Sequence, residues 1–190
     1  MLKIVILLSI IFLISCAPSL QPEQLFTEIS AREILPMQLT SSAFASNGNI
    51  PTKYTCDGEN KNPPLQIADV PAAAKSLVLL MDDPDIPDFV KKRYTITVWD
   101  HWVVFNISPT TKNISEGKNP AGTLGKNTGG KNAYAGPCPP DREHRYFFKL
   151  YALDTELPLP AGTTKADVET AMEKHILAKA ELVGKYERKS

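Results

Sequence analysis

Short apolar runs separated by turn-forming residues recur along the chain, a pattern that is typical of β-strands. Ser76–Met81 is continuously apolar after its first residue, which predicts a strand buried on both faces. Arg145–Leu153 and Tyr94–Asn106 are rich in aromatic and β-branched residues, which favour strands. The second of these is too long for one average strand, and we expect it to bend near Asp100-His101. Shorter strands are predicted at Gln38–Ser42 and Leu65–Ile67.

One helix is predicted near the C-terminus. Thr164 and Asp167 have the spacing of an N-terminal capping box. The apolar residues that follow recur on one helical face: Val168, Met172, Ile176 and Ala180. The chain then returns as a last strand over Glu181–Tyr186. Because the strands do not alternate regularly with helices, the predicted fold class is mainly β, an antiparallel or mixed β-sandwich, and a doubly wound sheet is disfavoured.

The N-terminus has the form of a signal peptide. Ile4–Ile14 is apolar but too short to span a membrane, which takes about 20 residues. The following Leu13-Ile14-Ser15-Cys16-Ala17 resembles a bacterial lipobox, in which diacylglycerol is attached to the Cys thiol and further acyl chains such as palmitate give stable anchoring. We therefore expect a signal peptide over residues 1–15, a lipidated N-terminus and tether over 16–37, and one domain over 38–190, held on the extracytoplasmic side of a membrane of the bacterial cell envelope. The alternative is an ordinary secretory leader with an unrelated Cys.

Charge and cysteine content narrow the possible partners. The 190 residues include 21 Lys and Arg and 21 Asp and Glu, so the formal charge is zero and no basic excess favours nucleic acid. If Cys16 bears lipid, Cys56 and Cys138 remain as a pair. Outside the cytoplasm such a pair can form a disulfide, and the sequence leaves open whether it does.

An acidic turn follows the buried strand. Asp82, Asp83 and Asp85 are interleaved with Pro84 and Pro87, whose fixed φ makes the turn rigid. The turn is either an acidic surface turn or part of a site. Clustered carboxylates suit hard cations, but the spacing is not that of a calcium loop, and no metal or cofactor is expected.

Two histidines lie near predicted strand starts. Alternation places His101 on one face with Val103 and Phe105, either as a core residue or as a donor in a pocket. His144 and Tyr146 likewise share a face, and they follow the stiff loop that begins with Gly136. The loop is either structural or a place where Gly136 lets the backbone approach an anion and donate to it.

These segments together resemble the phosphatidylethanolamine-binding protein family, in its bacterial Raf-kinase-inhibitor-like branch. The resemblance spans about residues 38–187, with the motifs in the family's order. It rests on four segments: Tyr54-Thr55-Cys56-Asp57-Gly58, Asp83-Pro84-Asp85-Ile86-Pro87, His101-Trp102-Val103-Val104-Phe105-Asn106, and Gly136-Pro137-Cys138-Pro139-Pro140 with His144-Arg145-Tyr146.

The resemblance implies a large antiparallel or mixed sheet packed on a smaller one, a C-terminal helix and few short helices. It also implies a small cavity that takes phosphate, phosphorylethanolamine head groups or acetate. The residues that it assigns to this cavity are Asp83, Asp85, Pro87, His101, Gly136, His144 and Tyr146. Lys91-Lys92-Arg93 could draw anionic ligands, but we expect these side chains to be solvated.

The function expected from these observations is that of a lipid-anchored, non-enzymatic binding or regulatory protein. Its partners would be a small anion or a phospholipid head group, and the resemblance suggests inhibition of a kinase or protease. One alternative is an extracytoplasmic thiol hydrolase that uses Cys138 and His144, with Asp83 as orienter. Another is a structural surface lipoprotein in which the cavity has no ligand.

Overall fold

The computed structural model describes residues 36–189. The predicted signal peptide, Cys16 and nearly all of the predicted tether lie outside the described residues. Between residues 36 and 189 no helix combines the length and the apolar character that crossing a membrane requires.

Strands dominate the described chain. They are β1 (Gln38–Thr40), β2 (Gly48–Asn49), β3 (Leu65–Ala68), β4 (Ser76–Asp83), β5 (Trp99–Ile107), β6 (Asn113–Ile114), β7 (Thr123–Leu124), β8 (His144–Leu153) and β9 (Ile176–Tyr186). The α-helices are α1 (Asp88–Tyr94) and α2 (Lys165–Met172), and single 3₁₀ turns occur at Thr52–Tyr54 and Glu173–His175.

The strands form two sheets. The small sheet has the order β1-β3-β6, and the large sheet has the order β2-β9-β8-β4-β5-β7. Every pairing is antiparallel except that of β2 with β9, so the large sheet is mixed. The predicted mainly β fold, with a large sheet packed on a smaller one, is confirmed.

The centre of the large sheet is β4, which is buried along its whole length. Leu77, Leu79 and Met81 pack in one core cluster with apolar residues of the small sheet: Leu39, Leu65, Ile67 and Ile114. The intervening residues Val78 and Leu80 pack in a second cluster with Val168 and Met172 of α2. The prediction that this strand is buried on both faces is therefore correct.

The segment after β4 differs from its predicted form, because Tyr94 ends a helix and does not begin a strand. Asp88 lies in the first turn of α1, and Lys91, Lys92 and Arg93 lie in the last, which complements the helix dipole. The helix ends at Thr95, which has left-handed backbone angles. β5 begins only at Trp99, opposite Asp83, because β4 ends there and residues 95–98 have no neighbouring strand to pair with.

The C-terminal helix begins as predicted but ends earlier. The Asp167 amide donates to the Thr164 hydroxyl, which caps α2. The helix stops at Met172, and the predicted helical residues Ile176 and Ala180 belong to β9. β9 pairs with β8 along nearly its full length, so long-range strand pairing prevails over the local helical periodicity.

A disulfide joins Cys56 to Cys138 across 82 positions of the chain. Cys56 follows the first 3₁₀ turn, and Cys138 lies in the loop that precedes β8. The Cys56 amide also donates to the carbonyl of Pro137 at 3.0 Å. The disulfide therefore fixes two loops whose contact otherwise depends on a few hydrogen bonds.

We predict that a Cys56→Ala/Cys138→Ala variant folds but loses about 2–4 kcal/mol of unfolding free energy, because its unfolded chain is no longer restricted by a long closed loop. Urea unfolding, followed by circular dichroism, measures the loss. Dithiothreitol should lower the stability of the unaltered chain to a similar extent and leave the variant unchanged. Equal stability of the unaltered chain with and without reductant would contradict the prediction.

Candidate functional site

The three segments predicted to carry chemistry meet at one end of the large sheet. β4 runs antiparallel to both β5 and β8, so its C-terminal end lies beside the N-terminal ends of its two neighbours. Asp83, the last residue of β4, pairs with Trp99 at the start of β5. Asp82 pairs with Phe147 near the start of β8. Antiparallel pairing thus brings together residues that are distant in the sequence.

His101 is the extra residue of a β-bulge. The pairing of β4 with β5 shifts between Met81–Trp102 and Asp82–Asp100, which leaves His101 without a partner across the strands. The expectation that His101 shares a face with Val103 and Phe105 is wrong. Val103 and Phe105 pack on the α2 side, whereas the ring centroid of His101 lies 5.3 Å from that of Tyr146, on the opposite face. One inserted residue shifts the alternation of side chains.

Two hydrogen bonds tie His101 to the loop before β8. Its Nδ1 lies 2.7 Å from the carbonyl oxygen of Ala135, and the Ala135 amide donates to the His101 carbonyl at 2.9 Å. A carbonyl only accepts, so Nδ1 bears the hydrogen and Nε2 of the neutral ring is an acceptor. Burial lowers the pKa of His101 to about 4, while the Ala135 carbonyl and Asp82 raise it and His144 lowers it further. The ring is therefore neutral at pH 7.

His144 is buried between two carboxylates. Its Nδ1 lies 2.7 Å from Asp83 Oδ2, and its Nε2 lies 2.8 Å from Asp141 Oδ1. Burial raises the pKa of Asp83, and the contact with His144 opposes that rise. The other oxygen of Asp83 accepts from the Asp85 amide at 2.8 Å. Because both ring nitrogens are engaged, His144 positions its acidic neighbours and has no nitrogen left for a ligand.

The hydroxyl of Tyr146 is buried and makes no hydrogen bond with the residues that the structure describes. Burial raises the pKa of Tyr146, so this hydroxyl stays protonated and can donate. The Cys138 amide faces the same oxygen, and within residues 36–189 it donates to no other acceptor. The amide hydrogen is therefore directed at the Tyr146 oxygen, whereas the hydroxyl hydrogen of Tyr146 has no acceptor among residues 36–189, and leaving a buried polar group unsatisfied costs about 1–3 kcal/mol.

Gly136 has a different role from the one predicted for it. Its N–H donates to Asn60 Oδ1 at 2.7 Å, so it is not available to a ligand. A Cβ at Gly136 would lie 2.5 Å from the carbonyl oxygen of Tyr54, so only glycine allows this close approach of the two loops. Since prolines 137, 139 and 140 have no N–H, the remaining amide of residues 136–140 is that of Cys138, which faces the Tyr146 oxygen.

Asp85 and Pro87, also predicted as ligand residues, do not line the cavity at this site. Asp85 accepts three hydrogen bonds from Arg145, at 2.7–3.0 Å, and these contacts lower its pKa to about 2. Pro87 precedes the first residue of α1 as its N-cap. These two residues therefore hold the acidic turn and the start of the helix in place.

A cavity of about 440 Å³ opens beside His101. We call its hydrogen-bonding side the polar wall, which comprises Asn60, Asp83, His101, Gly136 and Cys138. A second group of lining residues, called here the aromatic wall, comprises Ile86, Phe89, Val90, Arg93, Tyr94 and Trp99. His144 and Tyr146 do not line the cavity, but they contact Asp83 and His101, which do.

The aromatic wall and Asn60 were not among the predicted site residues. The sequence pattern predicts no helix before Tyr94, and only a solvated basic run is expected at Lys91-Lys92-Arg93. A helix signal is present, since Pro87 and Asp88 suit a helix start and the basic run Lys91–Arg93 suits a helix end. In the part of the chain that is described, no group of three or more His, Cys, Asp or Glu side chains is placed to hold a metal ion.

Comparisons with known proteins agree with this fold. Residues 40–187 match the family model described as phosphatidylethanolamine-binding protein. A UPF0098 protein of Chlamydia pneumoniae is 49% identical over 152 residues, which cover 80% of this chain and 99% of that protein. A UPF0098 protein of Methanothermobacter thermautotrophicus is 49% identical over 158 residues, with the same coverage of each chain.

Two solved structures have the same fold. A putative phosphatidylethanolamine-binding protein homologue from Chlamydia trachomatis superposes with a TM-score of 0.77 at 47% identity, covering 81% of this chain and 99% of its own. YbcL of Escherichia coli, described as a member of the mammalian family, superposes with a TM-score of 0.72 at 30% identity, covering 82% and 100%. With the family model matching most of the described domain, this chain belongs to the phosphatidylethanolamine-binding protein family.

Proposed function

We propose that this chain is a non-enzymatic binding protein that holds a small anionic group, such as phosphate or the phosphorylethanolamine head of a lipid, at the polar wall. The observation that carries the proposal is the ring of His101, which lines the cavity and whose Nε2 makes no hydrogen bond with residues 36–189. The ring contacts Tyr146, whose buried hydroxyl is also unsatisfied. Donors in a partly dry site bind anionic oxygens strongly. The name of the family supports a phosphorylethanolamine head group as the ligand.

Asp83 does not prevent anion binding at this wall. One of its oxygens accepts from His144 and the other from the Asp85 amide, so donors already occupy both. The neutral ring of His101 presents an acceptor at Nε2, so a hydrogen must lie between this nitrogen and a phosphate oxygen. A phosphate can meet that condition with a protonated oxygen, or His101 can take up a proton when the anion binds.

Two alternative functions have less support. A thiol hydrolase would need a free thiolate at Cys138, whose sulfur is bonded to Cys56. A purely structural lipoprotein would gain nothing from an unsatisfied buried hydroxyl, which lowers stability. A regulatory role, in which ligand occupancy controls inhibition of a kinase or protease, is compatible with the binding function. A kinase partner suits an extracytoplasmic protein poorly.

The proposal includes a lipid anchor at Cys16. The apolar segment, the small residue before the thiol and the following polar, proline-containing stretch are in the order that lipidation requires. Several acyl chains would hold the domain at a membrane surface on the extracytoplasmic side of the cell envelope. A disulfide in the domain suits that oxidising compartment.

We expect His101→Ala to weaken phosphorylethanolamine binding about tenfold or more, because it removes a contact to a charged group. Tyr146→Phe should weaken binding less, because Tyr146 contacts His101 and does not line the cavity. Isothermal titration calorimetry measures the dissociation constants. His175→Ala and Tyr151→Phe are matched controls, since His175 is exposed beside Asp154 and Tyr151 packs on the α2 side of the sheet. Unchanged affinity in both site variants would refute the assignment of the polar wall.

Binding should also take up about one proton. The complex needs a hydrogen between phosphate and Nε2, and neither the dianion nor the neutral His101 ring supplies it. Affinity for phosphorylethanolamine should therefore rise as the pH falls from 8 towards 6, where the phosphomonoester dianion gains a proton.

Isothermal titration calorimetry in buffers of different ionisation enthalpy measures the number of protons taken up on binding. His101→Gln should flatten the pH dependence, because its amide can donate directly. If affinity were equal at pH 8 and pH 6 and no proton were taken up, the assignment of the Nε2 contact would be wrong.

For the anchor, we predict that Cys16→Ser abolishes incorporation of radiolabelled palmitate in a bacterial host and moves the protein from the membrane fraction to the released fraction. The thiol is the attachment point, and a serine hydroxyl does not replace it. Cys56→Ser is the control and should keep the label. Palmitate retained by the Cys16→Ser variant would exclude the proposed anchor.

A further inference from the structure

One edge of the large sheet is only partly covered. β9 is flanked by β8 on one side, and on its other side the two-residue strand β2 pairs only near the C-terminal end of β9. Just before β2, the Asn47 amide donates to the Val183 carbonyl at 2.7 Å. Near the beginning of β9, the pairing with β8 shifts register next to Ala178. Between these two limits residues 178–182, called here the open edge, have no neighbouring strand on that side among residues 36–189.

The backbone of the open edge presents unpaired hydrogen-bonding groups. The carbonyls of Val183 and Lys185 point away from β8, because both accept from amides of the segment around β2. Alternate residues of a strand direct their N–H and C=O groups to the same side, so those of Lys179 and Glu181 also point away from β8. Within residues 36–189 no backbone group bonds to them on that side. Such a strand edge is a template for pairing with another chain.

Two exposed side chains of the open edge carry opposite charges. Lys179 and Glu181 lie on either side of Ala180, and in the described part of the chain neither has an ion-pair partner. Lys149, which lies opposite Glu181 on β8, donates to Asp82 instead. A single charge often protects a strand edge from pairing, whereas two opposite charges placed around a small central residue are complementary to a second copy of themselves.

A second copy of the chain fits this pattern in one register. If two open edges pair antiparallel with Ala180 opposite Ala180, Lys179 of each copy lies opposite Glu181 of the other. The outward backbone groups of these residues then face each other, as a hydrogen-bonded pair of an antiparallel ladder requires. Shifting one strand by two residues in either direction places Lys179 opposite Lys179 or Glu181 opposite Glu181, which is unfavourable. The charges therefore select the register that is centred on the open edge.

Exposed apolar side chains lie next to the open edge. Four large apolar side chains of the described residues are exposed, and two of them, Ile176 and Leu177, begin β9. Apolar surface beside an unpaired strand is typical of a contact with another protein. None of residues 176–182 lines the cavity beside His101, so a contact at this edge is separate from the proposed anion site.

We infer that the chain forms a symmetric dimer through its open edges, in which two large sheets join into one continuous sheet about a two-fold axis at Ala180. The register provides about four backbone hydrogen bonds and two ion pairs between the copies. An interface of this small size gives a weak dimer in exchange with the monomer. The inference does not rest on the proposed function, because the two copies pair away from the cavity.

Sedimentation equilibrium of the full chain measures this association, with Cys16→Ser present in every protein so that no lipid contributes. The chain should pass from monomer to dimer between about 10 μM and 1 mM, as expected for a small interface. Lys179→Glu and Glu181→Lys should each weaken dimerisation about tenfold or more, because like charges then face each other. Lys118→Glu, at an exposed position between β6 and β7, is the matched control and should dimerise like the unaltered chain.

The same two variants test the register. An equimolar mixture of Lys179→Glu and Glu181→Lys should form heterodimers about as tightly as the unaltered chain dimerises, because every Glu at the contact then faces a Lys. The double variant Lys179→Glu/Glu181→Lys should also dimerise, since exchanging the two charges preserves their complementarity. If neither the mixture nor the double variant restored association, the register and the dimer through the open edge would both be wrong.

Amide hydrogen exchange, followed by NMR, identifies what covers the edge. The amides of Lys179 and Glu181 should exchange rapidly at about 10 μM and be protected at about 1 mM, where the dimer forms. A chain that stays monomeric at about 1 mM overturns the proposal. If the two amides are protected in that monomer, the segment before residue 36 covers the edge instead. Binding of phosphorylethanolamine should be the same in the charge variants as in the unaltered chain, so loss of the dimer and loss of the anion site are distinguishable.

Discussion

The antiparallel pairing of β4 with both β5 and β8 is the constraint on which the site depends. β4 is buried on both faces, by the small sheet on one side and by α2 on the other, so its position and register are strongly determined. Its C-terminal end must then lie beside the beginnings of two other strands. Asp83, His101 and His144 come from three distant segments and are placed together by this one arrangement.

Local departures from regular structure give this end of the sheet its chemistry. The bulge at His101 turns its ring away from the α2 side and towards Tyr146. Prolines 137, 139 and 140 have no amide donor, the N–H of Gly136 donates to Asn60, and the N–H of Cys138 faces the Tyr146 oxygen. The disulfide and the close approach at Gly136 hold that loop against residues 54–60. A few donors, fixed in a partly dry place, are what anion binding needs.

The two buried groups on β8 illustrate how supporting and binding roles differ. His144 has both nitrogens engaged by carboxylates and so maintains the geometry of its neighbours. Tyr146, two residues later on the same face, keeps a hydroxyl that no described residue satisfies. An unsatisfied buried hydroxyl lowers stability, and the proposed anion binding beside it would account for its presence.

The sequence alone determined the fold class, the doubly buried β4, the start of α2 and the family resemblance, because these depend on local periodicity, capping and long motifs. It also identified Asp83, His101, His144 and Tyr146 as a group, although not their separate roles. Only the tertiary structure decided the roles of Gly136, Asp85 and Cys138, since a donor is available or occupied according to which distant residue reaches it. Pairing with β8 likewise made Ile176–Tyr186 a strand despite its helical periodicity. The register shift between β4 and β5 placed His101 on the face opposite the predicted one. Strand partners and hydrogen-bond partners come from far along the chain, so no local pattern could specify them.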